Sequence, residues 1–267
     1  MYMRWHCRIM SVVVMALPKI AVDASVIINE QVSEDVFRLE LLCPEIAAYS
    51  KPGMFVQVRV DKGMLLLRRP FGIADVKDKS ITVFYRVLGE GTKALTSVKS
   101  GDLLNVLGPL GNGFKADAKR PLLVGGGMGL APLLYLARFY QGKADILMGG
   151  RNKQEIFWEE YFRPYANNIF ITTDDGSVGT KGFTTSLLPQ LLTDTKYDLV
   201  AVCGPGIMMQ LISDIAAKYD VPCQVSLEKR MACGLGACLS CAVDTKDGQR
   251  KKVCKDGPVF WAEEVQI

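Results

Sequence analysis

Histidine is nearly absent from this sequence of 267 residues, and its single copy, His6, lies close to the N-terminus. Histidine is the side chain that most often acts as a general base near neutral pH, and it is also a frequent metal ligand. Its near absence excludes most histidine-dependent catalysis and histidine-ligated metals from the body of the chain. Difficult chemistry would fall to bound cofactors, and we predict no catalytic side chain here.

A strong excess of one charge is also missing. The 32 basic and 28 acidic side chains leave a formal net charge of +4, and the basic residues are scattered along the chain. A nucleic-acid-binding chain usually concentrates its basic residues in one patch, so we predict no nucleic-acid partner. The composition, 49% hydrophobic and 22% charged, is that of an ordinary globular protein with room for two domains and a small appendage.

No apolar run reaches the length of about 20 residues that a membrane-spanning helix needs. The apolar residues 9–17 follow Arg4 and Arg8, which imitates a signal peptide, but no small-x-small cleavage site precedes Pro18. We therefore predict that residues 1–20 are a disordered tail or an over-extended start of the chain. Export or membrane anchoring is the remaining alternative, and no membrane partner is predicted.

Four closely spaced cysteines near the C-terminus are the most informative feature that is present. Cys233, Cys238, Cys241 and Cys254 follow the spacing C-x4-C-x2-C-x12-C. This is the spacing of plant-type ferredoxins, in which four thiolates hold a 2Fe–2S cluster. Zinc ligands usually come as two C-x2–4-C pairs, so a zinc site is the weaker alternative and four unliganded thiols the weakest.

The remaining cysteines have no spacing that indicates a disulfide framework. They are Cys7, Cys43, Cys203 and Cys223. Free thiols of this kind suit a reducing compartment. We therefore predict a cytoplasmic protein.

The order of sequence patterns divides the chain into three parts. Residues 21–116 contain short alternating strands, with Val56 and Val58 around a polar residue, which predicts a small antiparallel β-barrel. Residues 117–220 alternate strands with helices, which predicts a doubly wound parallel sheet. Residues 221–267 contain the four cysteines and are too few to fold without a cluster.

Two glycine-rich turns lie between a predicted strand and a predicted helix of the second part. Glycine in such a turn lets the backbone approach a pyrophosphate, and the helix that follows offers unpaired N–H groups. A tight turn without a ligand remains the alternative for either turn alone, but two such turns together favour a nucleotide site. The turns are Gly125, Gly126, Gly127, Met128 and Gly129, and then Cys203, Gly204 and Pro205.

This order of parts resembles the ferredoxin–NADP reductase family of flavoproteins. The C-terminal cysteines narrow the resemblance to the electron-transfer subunits of dihydroorotate dehydrogenase B. The matching motifs extend over residues 22–262, which is nearly the whole chain except the tail. They are LLRRPFGIAD (66–75), YRVLGEGTKAL (85–95), GPLGNGF (108–114), GGGMGLAPL (125–133), TDDGSVGTKGF (173–183), CGPGIMM (203–209), MACGLGACLSCAV (231–243) and VCKDGPVF (253–260).

The resemblance implies FAD bound to residues 21–116. The Arg-x-aromatic-Ser segment of the family corresponds to Arg69, Pro70, Phe71 and Gly72. Arg69 would contact the flavin phosphate or ring edge, and Phe71 would pack on the cofactor, whereas without the resemblance they read as a surface cation and a core residue. Gly72 departs from the Ser or Thr usual near the reactive nitrogen of the flavin. The other positions assigned to FAD are Tyr85, Arg86, Val87, Gly91 and Thr92.

NAD is the nucleotide that the resemblance implies for residues 117–220, with NADP as the open alternative. A 2′-phosphate requires Arg or Lys near the end of the second strand, and Arg151 is near such a place. Asp174 and Asp175 follow the next strand and would repel a phosphate. Cys203 is interpreted as a neutral wall of the nicotinamide pocket rather than as a nucleophile.

The implied function is electron transfer. A partner dihydroorotate dehydrogenase with FMN would oxidise dihydroorotate to orotate in pyrimidine biosynthesis, and this chain would pass the electrons through the 2Fe–2S cluster and FAD to NAD. A heterotetramer with two copies of each subunit is expected.

Three other readings remain open. One is a related reductase subunit that serves a sulfhydrogenase, a sulfite reductase or a transhydrogenase. The transhydrogenase-type proteins tend to have Asp at the first cluster position, where this chain has Cys233. The others are an oxygenase reductase and a zinc-stabilised adaptor without a nucleotide.

Overall fold

The structure, a computed structural model, describes residues 18–60 and 65–267. The prediction of a disordered tail or over-extended start for residues 1–20 therefore lies mostly outside the described residues, and the first strand begins at Ile20. None of the helices in the described part of the chain is long and apolar enough to span a membrane.

Six antiparallel strands close into a barrel in the order β1-β2-β5-β4-β3-β6. The alternation that predicts the barrel is visible in β3, where Val56 and Val58 point into the barrel core and Gln57 points outward. The strands are β1 (Ile20–Ser33), β2 (Val36–Leu42), β3 (Phe55–Val58), β4 (Arg69–Lys77), β5 (Ser80–Arg86) and β6 (Leu103–Leu110). Two short helices, α1 (Pro44–Ala47) and α2 (Glu90–Leu95), lie between barrel strands.

A seven-stranded sheet follows, in the order β10-β9-β8-β7-β11-β12-β15. Its first six strands are parallel to their neighbours. They are β7 (Pro121–Gly126), β8 (Ala144–Gly150), β9 (Ala166–Thr173), β10 (Thr180–Lys181), β11 (Leu199–Cys203) and β12 (Cys223–Ser226). The chain builds outward from β7 to β10 and then returns to the other side of β7, so the strand order reverses between β7 and β11.

Four helices connect these parallel strands. The helices after β7 and β11 carry apolar residues at helical spacing, and their buried faces pack on the sheet. The helices are α3 (Leu130–Tyr140), α4 (Trp158–Phe162), α5 (Thr184–Asp194) and α6 (Gly206–Lys218). Single 3₁₀ turns, Gly127–Gly129 and Lys153–Ile156, precede α3 and α4.

The cysteine-containing segment is joined to both other parts. A hairpin of β13 (Ala242–Asp244) and β14 (Arg250–Lys252) precedes β15 (Val259–Trp261), which pairs antiparallel with β12 at the edge of the large sheet. Both β12 and β15 fall within the segment 221–267 and yet belong to the parallel-sheet layer. One continuous core contains Phe55 of the barrel, strands of the sheet, and Cys241 and Cys254 of the segment. The predicted fold class, a barrel followed by a parallel sheet and a cluster segment, is confirmed.

Candidate flavin, nucleotide and cluster sites

The two predicted nucleotide turns lie side by side. They follow β7 and β11, which pair with each other so that Gly125 lies opposite Cys203. A Cβ atom on Gly129 would collide with the carbonyl oxygen of Cys203, and one on Gly126 would lie 2.8 Å from Sδ of Met208. The glycines therefore let the two turns pack closely, at the point of strand reversal where an open α/β sheet binds its ligands.

The first turn has open space around Gly127. Gly127 has a left-handed φ of +54°, and a Cβ atom there would meet nothing within 4 Å. The turn leads into α3, whose N-cap Gly129 has no capping side chain. The unpaired N–H groups of such a helix start favour an anion, so this turn fits a pyrophosphate group.

Cys203 is fully buried, and its thiol donates to the carbonyl oxygen of Ser226 at 3.6 Å. Burial strongly raises the pKa of this thiol, and the Glu228 carboxylate raises it further. A thiol in this state is neutral and a poor nucleophile. Cys203 is therefore unsuited to act as a nucleophile, and its place as a wall of the nicotinamide pocket stays a prediction.

The predicted flavin-phosphate residues meet at the start of α2. A Cβ atom on Gly91 would collide with the guanidinium group of Arg69, so this glycine leaves the space that the cation occupies. The Thr92 hydroxyl accepts from the backbone N–H of Leu88 at 3.0 Å and holds the turn before the helix. A guanidinium beside a glycine turn fits the diphosphate of FAD.

The Tyr85 side chain lies in the barrel core. Its ring is buried against Phe37, with ring centroids 5.4 Å apart, and its hydroxyl donates to Oδ1 of Asn29 at 3.0 Å. Burial raises the pKa of this hydroxyl to about 12. Tyr85 is therefore a core residue of the barrel, and only its backbone is available to the predicted flavin. Phe71 lies 5.8 Å from the Tyr85 ring and is only partly buried.

The next two predicted positions are Arg86, the last residue of β5, and Val87, which follows it. The Arg86 guanidinium lies 3.2 Å from Asp35 and 3.7 Å from Glu155, so it links the barrel to the turn after β8. The backbone N–H of Val87 donates to the carbonyl oxygen of Asp35 at 2.8 Å. These contacts fix the end of β5.

The flavin strand β4 packs directly on the nucleotide helix α3. A Cβ atom on Gly72 would lie 3.4 Å from Cβ of Pro132 in the first turn of α3. Further along the helix, Tyr135 donates to the carbonyl oxygen of Ser50 at 3.2 Å. The predicted flavin and nicotinamide sites are therefore adjacent across this contact.

Arg138 of α3 completes the contact with β4, and the sequence interpretation did not find it. Its guanidinium forms an ion pair with Asp75 and donates to the carbonyl oxygen of Val76 at 2.7 Å. Spacing shows only that Arg138 shares a helical face with Tyr135, and nothing in the sequence indicates its partners in β4.

The turn that follows β8 bears on the choice between NAD and NADP. The Arg151 guanidinium donates to the Glu155 carboxylate at 2.7 Å, and the backbone N–H of Arg151 donates to the same group at 2.9 Å. The backbone of Asp174 and Asp175 bonds to Gly150 and Arg151, at 3.1 and 3.3 Å. The Arg151 guanidinium is thus paired with the Glu155 carboxylate, which makes it less available to a 2′-phosphate.

The four predicted cluster cysteines form two pairs. The thiols of Cys233 and Cys238 lie close enough to influence each other's pKa, and the backbone N–H of Cys254 donates to Sγ of Cys241 at 3.5 Å. Among the described residues, no group of three or more His, Cys, Asp or Glu side chains is placed to hold a single metal ion. A binuclear cluster takes two terminal thiolates on each iron, and two thiol pairs fit that demand.

The two pairs differ in exposure. Cys241 and Cys254 are 2% and 1% exposed, and burial raises the pKa of Cys254 to about 12. Cys238 is exposed, and its hydrogen bonds with the Ser240 hydroxyl and backbone lower its pKa to about 6. The backbone N–H of Leu235 donates to Sγ of Cys233 at 3.4 Å. The outer pair therefore already carries the donors that a thiolate needs.

Asn112 holds the other end of the cysteine segment against the barrel. Its side-chain amide donates to the carbonyl oxygens of Lys255 and Asp256, at 3.2 and 3.0 Å. Both follow Cys254 directly. The motif GPLGNGF contains Asn112, but only the folded chain shows that this residue bonds to the cysteine segment.

Comparison with known proteins gives a consistent set of relatives. The family model for the iron–sulfur cluster binding domain of dihydroorotate dehydrogenase B matches residues 228–266. The chain is 41% identical to the dihydroorotate dehydrogenase B (NAD(+)) electron transfer subunit of Caldanaerobacter subterraneus subsp. tengcongensis, over 91% of this chain and 97% of that protein. It is 39% identical to the subunit of the same name from Desulforamulus reducens, over 89% and 95%.

Solved structures show the same fold. The NADH-dependent reduced ferredoxin-NADP oxidoreductase, studied for flavin-based electron bifurcation, superposes with a TM-score of 0.83 at 33% identity, over 92% of this chain and 90% of that one. A ferredoxin NADP+ reductase from Neisseria gonorrhoeae with bound FAD and NADP shares the fold alone, with a TM-score of 0.62 at 13% identity, over 74% and 91%.

Proposed function

The chain belongs to the family of dihydroorotate dehydrogenase B electron-transfer subunits, and on that premise we propose that it passes electrons from a partner dihydroorotate dehydrogenase, through a 2Fe–2S cluster and FAD, to NAD. When bound, the cluster would supply one-electron transfer, and FAD would exchange single electrons for the two electrons and one proton of a hydride. The result is orotate formation in pyrimidine biosynthesis. The chain is an oxidoreductase subunit in which no side chain acts on the pyrimidine.

The residues of this chain would bind and orient these groups. Cys233, Cys238, Cys241 and Cys254 would hold the cluster. Arg69 beside Gly91 would hold the FAD diphosphate, with Phe71 and the backbone at Gly72 near the ring. The turns at Gly125–Gly129 and Cys203–Pro205 would hold NAD, and the Arg151–Glu155 pair favours NAD over NADP.

Adjacency of the three sites is the observation that supports this proposal best. Strand β4 contacts the nucleotide helix through Gly72 and Pro132. The neighbouring strand β3 contacts the cysteine loop through Gln57 and Gly234. One side of the barrel, formed by β3 and β4, therefore adjoins both the predicted NAD site and the predicted cluster site. A relay of electrons requires this arrangement.

The proposal extends to the assembly. A catalytic subunit that contains FMN would dock where the exposed Cys238 side of the loop faces solvent. Two copies of each subunit would form a heterotetramer. The scattered cysteines suit a reducing compartment, so we place the complex in the cytoplasm.

Co-purification with the adjacent catalytic subunit tests the proposal. The complex should contain flavin, iron and sulfide, and it should reduce NAD with dihydroorotate. Cys238→Ser should abolish this exchange and leave NADH oxidation by dyes largely intact, whereas Cys223→Ser, a buried cysteine outside the quartet, should preserve both. A colourless chain that contains zinc and no flavin would refute the relay.

A second candidate is a reductase subunit that serves ferredoxin. The 33% identity to the NADH-dependent reduced ferredoxin-NADP oxidoreductase favours it. Activity with reduced ferredoxin and none with dihydroorotate would select this candidate.

A further inference from the structure

Gln57 has a buried side-chain amide without a hydrogen-bond partner among the described residues. It lies in β3 and points out of the barrel, on the side opposite Val56 and Val58. Its side chain is 0% exposed. Within residues 18–60 and 65–267, neither Nε2 nor Oε1 of Gln57 has a hydrogen-bond partner.

Such an amide is destabilising unless something satisfies it. Buried polar groups in proteins are nearly always hydrogen-bonded, because desolvation without a partner is unfavourable. A leucine of similar volume would avoid this penalty at the same position. The amide therefore indicates a partner that is not part of the described polypeptide.

The surroundings of Gln57 indicate which group that partner is. A Cβ atom on Gly234 would lie 2.8 Å from both Nε2 and Oε1, so the amide packs flat against this glycine. Gly234 directly follows Cys233, and the next backbone N–H, that of Leu235, already donates to Sγ of Cys233. The orphaned amide thus lies against the backbone of the loop that carries the first predicted ligand.

On its other side Gln57 adjoins the predicted flavin strand. It is paired with Pro70 of β4, between Arg69 and Phe71. Pro70 has no backbone N–H, and the backbone carbonyl oxygen of Gln57 accepts from the Arg68 guanidinium at 3.4 Å. Gln57 is therefore a barrel residue that contacts the cysteine loop and also pairs with the flavin strand.

We propose that Gln57 is a positioning residue for the cluster, and that its Nε2–H donates a hydrogen bond to a sulfur of the bound 2Fe–2S centre. This inference rests on the proposed function, because it requires that the cysteines hold a cluster. Hydrogen bonds to the sulfurs help to set the reduction potential of such centres. The amide therefore raises the cluster potential and ties the loop to the flavin strand.

The test replaces the amide by groups of similar shape in the full chain with its partner. Gln57→Leu removes both polar atoms, and Gln57→Glu keeps one oxygen and replaces the N–H donor by a second oxygen. A redox titration followed by electron paramagnetic resonance measures the cluster, and flavin absorbance measures FAD. We expect both variants to lower the cluster potential, by at least a tenfold change in its one-electron equilibrium, which is about 59 mV.

Gln224 provides a matched control. It is also buried in a strand, but its amide bonds to the backbone of Lys115 at both ends, at 2.9 and 3.0 Å. Gln224→Leu should lower the unfolding temperature and leave the cluster potential unchanged. Gln57→Leu should instead lower the cluster potential, because it removes the proposed donor to a cluster sulfur.

Two results would overturn the inference. One is an unchanged cluster potential in both Gln57 variants with wild-type iron content. The other is a shift confined to the flavin, which would make FAD the partner of the amide. Loss of iron from the variants with flavin retained would support the positioning role. A wild-type chain without a cluster would refute the proposed function itself, which is a separate outcome.

Discussion

At the scale of single residues, the predicted sites depend on glycines. Neighbouring groups occupy the space that a Cβ atom at these positions would need. At Gly91 the neighbour is the Arg69 guanidinium, and at Gly234 it is the Gln57 amide. At Gly129 it is the backbone of Cys203. In each case a contact from a distant part of the chain requires the glycine.

Gly91→Ala should weaken FAD binding without destabilising the fold. The added methyl group displaces the flexible Arg69 side chain, while alanine in α2 favours the helix by about 0.5–1 kcal/mol. We expect about tenfold weaker FAD binding, or about 1.4 kcal/mol, measured by flavin fluorescence titration of the apoprotein. Gly89→Ala is the control, since a Cβ atom there meets nothing within 4 Å. Equal losses in both variants would contradict the role of Arg69.

Gly234→Ala should reduce cluster content. Its φ of +68° and the contact with Gln57 both oppose a side chain, at costs of about 1–2 kcal/mol for the left-handed backbone and about 1–3 kcal/mol for overpacking. Iron and sulfide analysis would measure the loss. Gly248→Ala isolates the backbone effect, because Gly248 has a φ of +81° and open space around it. If the two variants retain equal iron, the contact with Gln57 is unimportant.

At the scale of elements, helix α3 connects the nucleotide turn to the flavin strand. Its first turn follows Gly129 and faces Gly72, and its last turn is held to β4 by Arg138 and Asp75. The sequence predicted α3 and its preceding turn correctly, because both depend on local patterns. It did not indicate α5, and it gave no sign that α3 packs against β4, because that contact joins residues about 60 positions apart.

Arg138→Met should slow flavin reduction by NADH by about tenfold, since a small misplacement of reacting groups costs that much or more. The half-exposed ion pair contributes only about 1 kcal/mol to the free energy of unfolding, so the chain should stay folded with FAD bound. Stopped-flow absorbance and urea unfolding measure the two effects. Arg163→Met removes an exposed ion pair with Glu159 on α4 and should change neither by much. A wild-type rate in Arg138→Met would show that the pair does not position the sites.

At the scale of the whole molecule, the cysteine segment is part of a common core. Strand β15 is an edge strand of the large sheet, and the core that it joins includes Phe55 and Leu110 of the barrel. The limits of three separate parts, with a boundary at residue 220, remain a prediction, and the sheet crosses that boundary through β12. We therefore expect the three sites to be lost together on unfolding.

Phe260→Ala tests this expectation. Phe260 is buried in the common core, and its truncation should cost about 3–5 kcal/mol. Far-ultraviolet circular dichroism, flavin fluorescence and cluster absorbance should shift to the same lower midpoint in urea. Phe183→Ala, at an exposed position, should change stability by no more than about 0.5 kcal/mol. Cluster loss well before loss of the sheet signal would contradict a common core.

The sequence by itself determined the parts of this protein: the strand-rich first third, the alternating second part, the two glycine turns and the cysteine quartet. These follow from periodicity, turn chemistry and ligand spacing within short segments. Only the tertiary structure decided that Tyr85 is a core residue, that Glu155 pairs with Arg151, and that β15 completes the sheet. It also placed Gln57 against Gly234. The physical reason is that these contacts join distant segments, and their geometry is fixed only when the barrel, the sheet and the cysteine segment pack around one core.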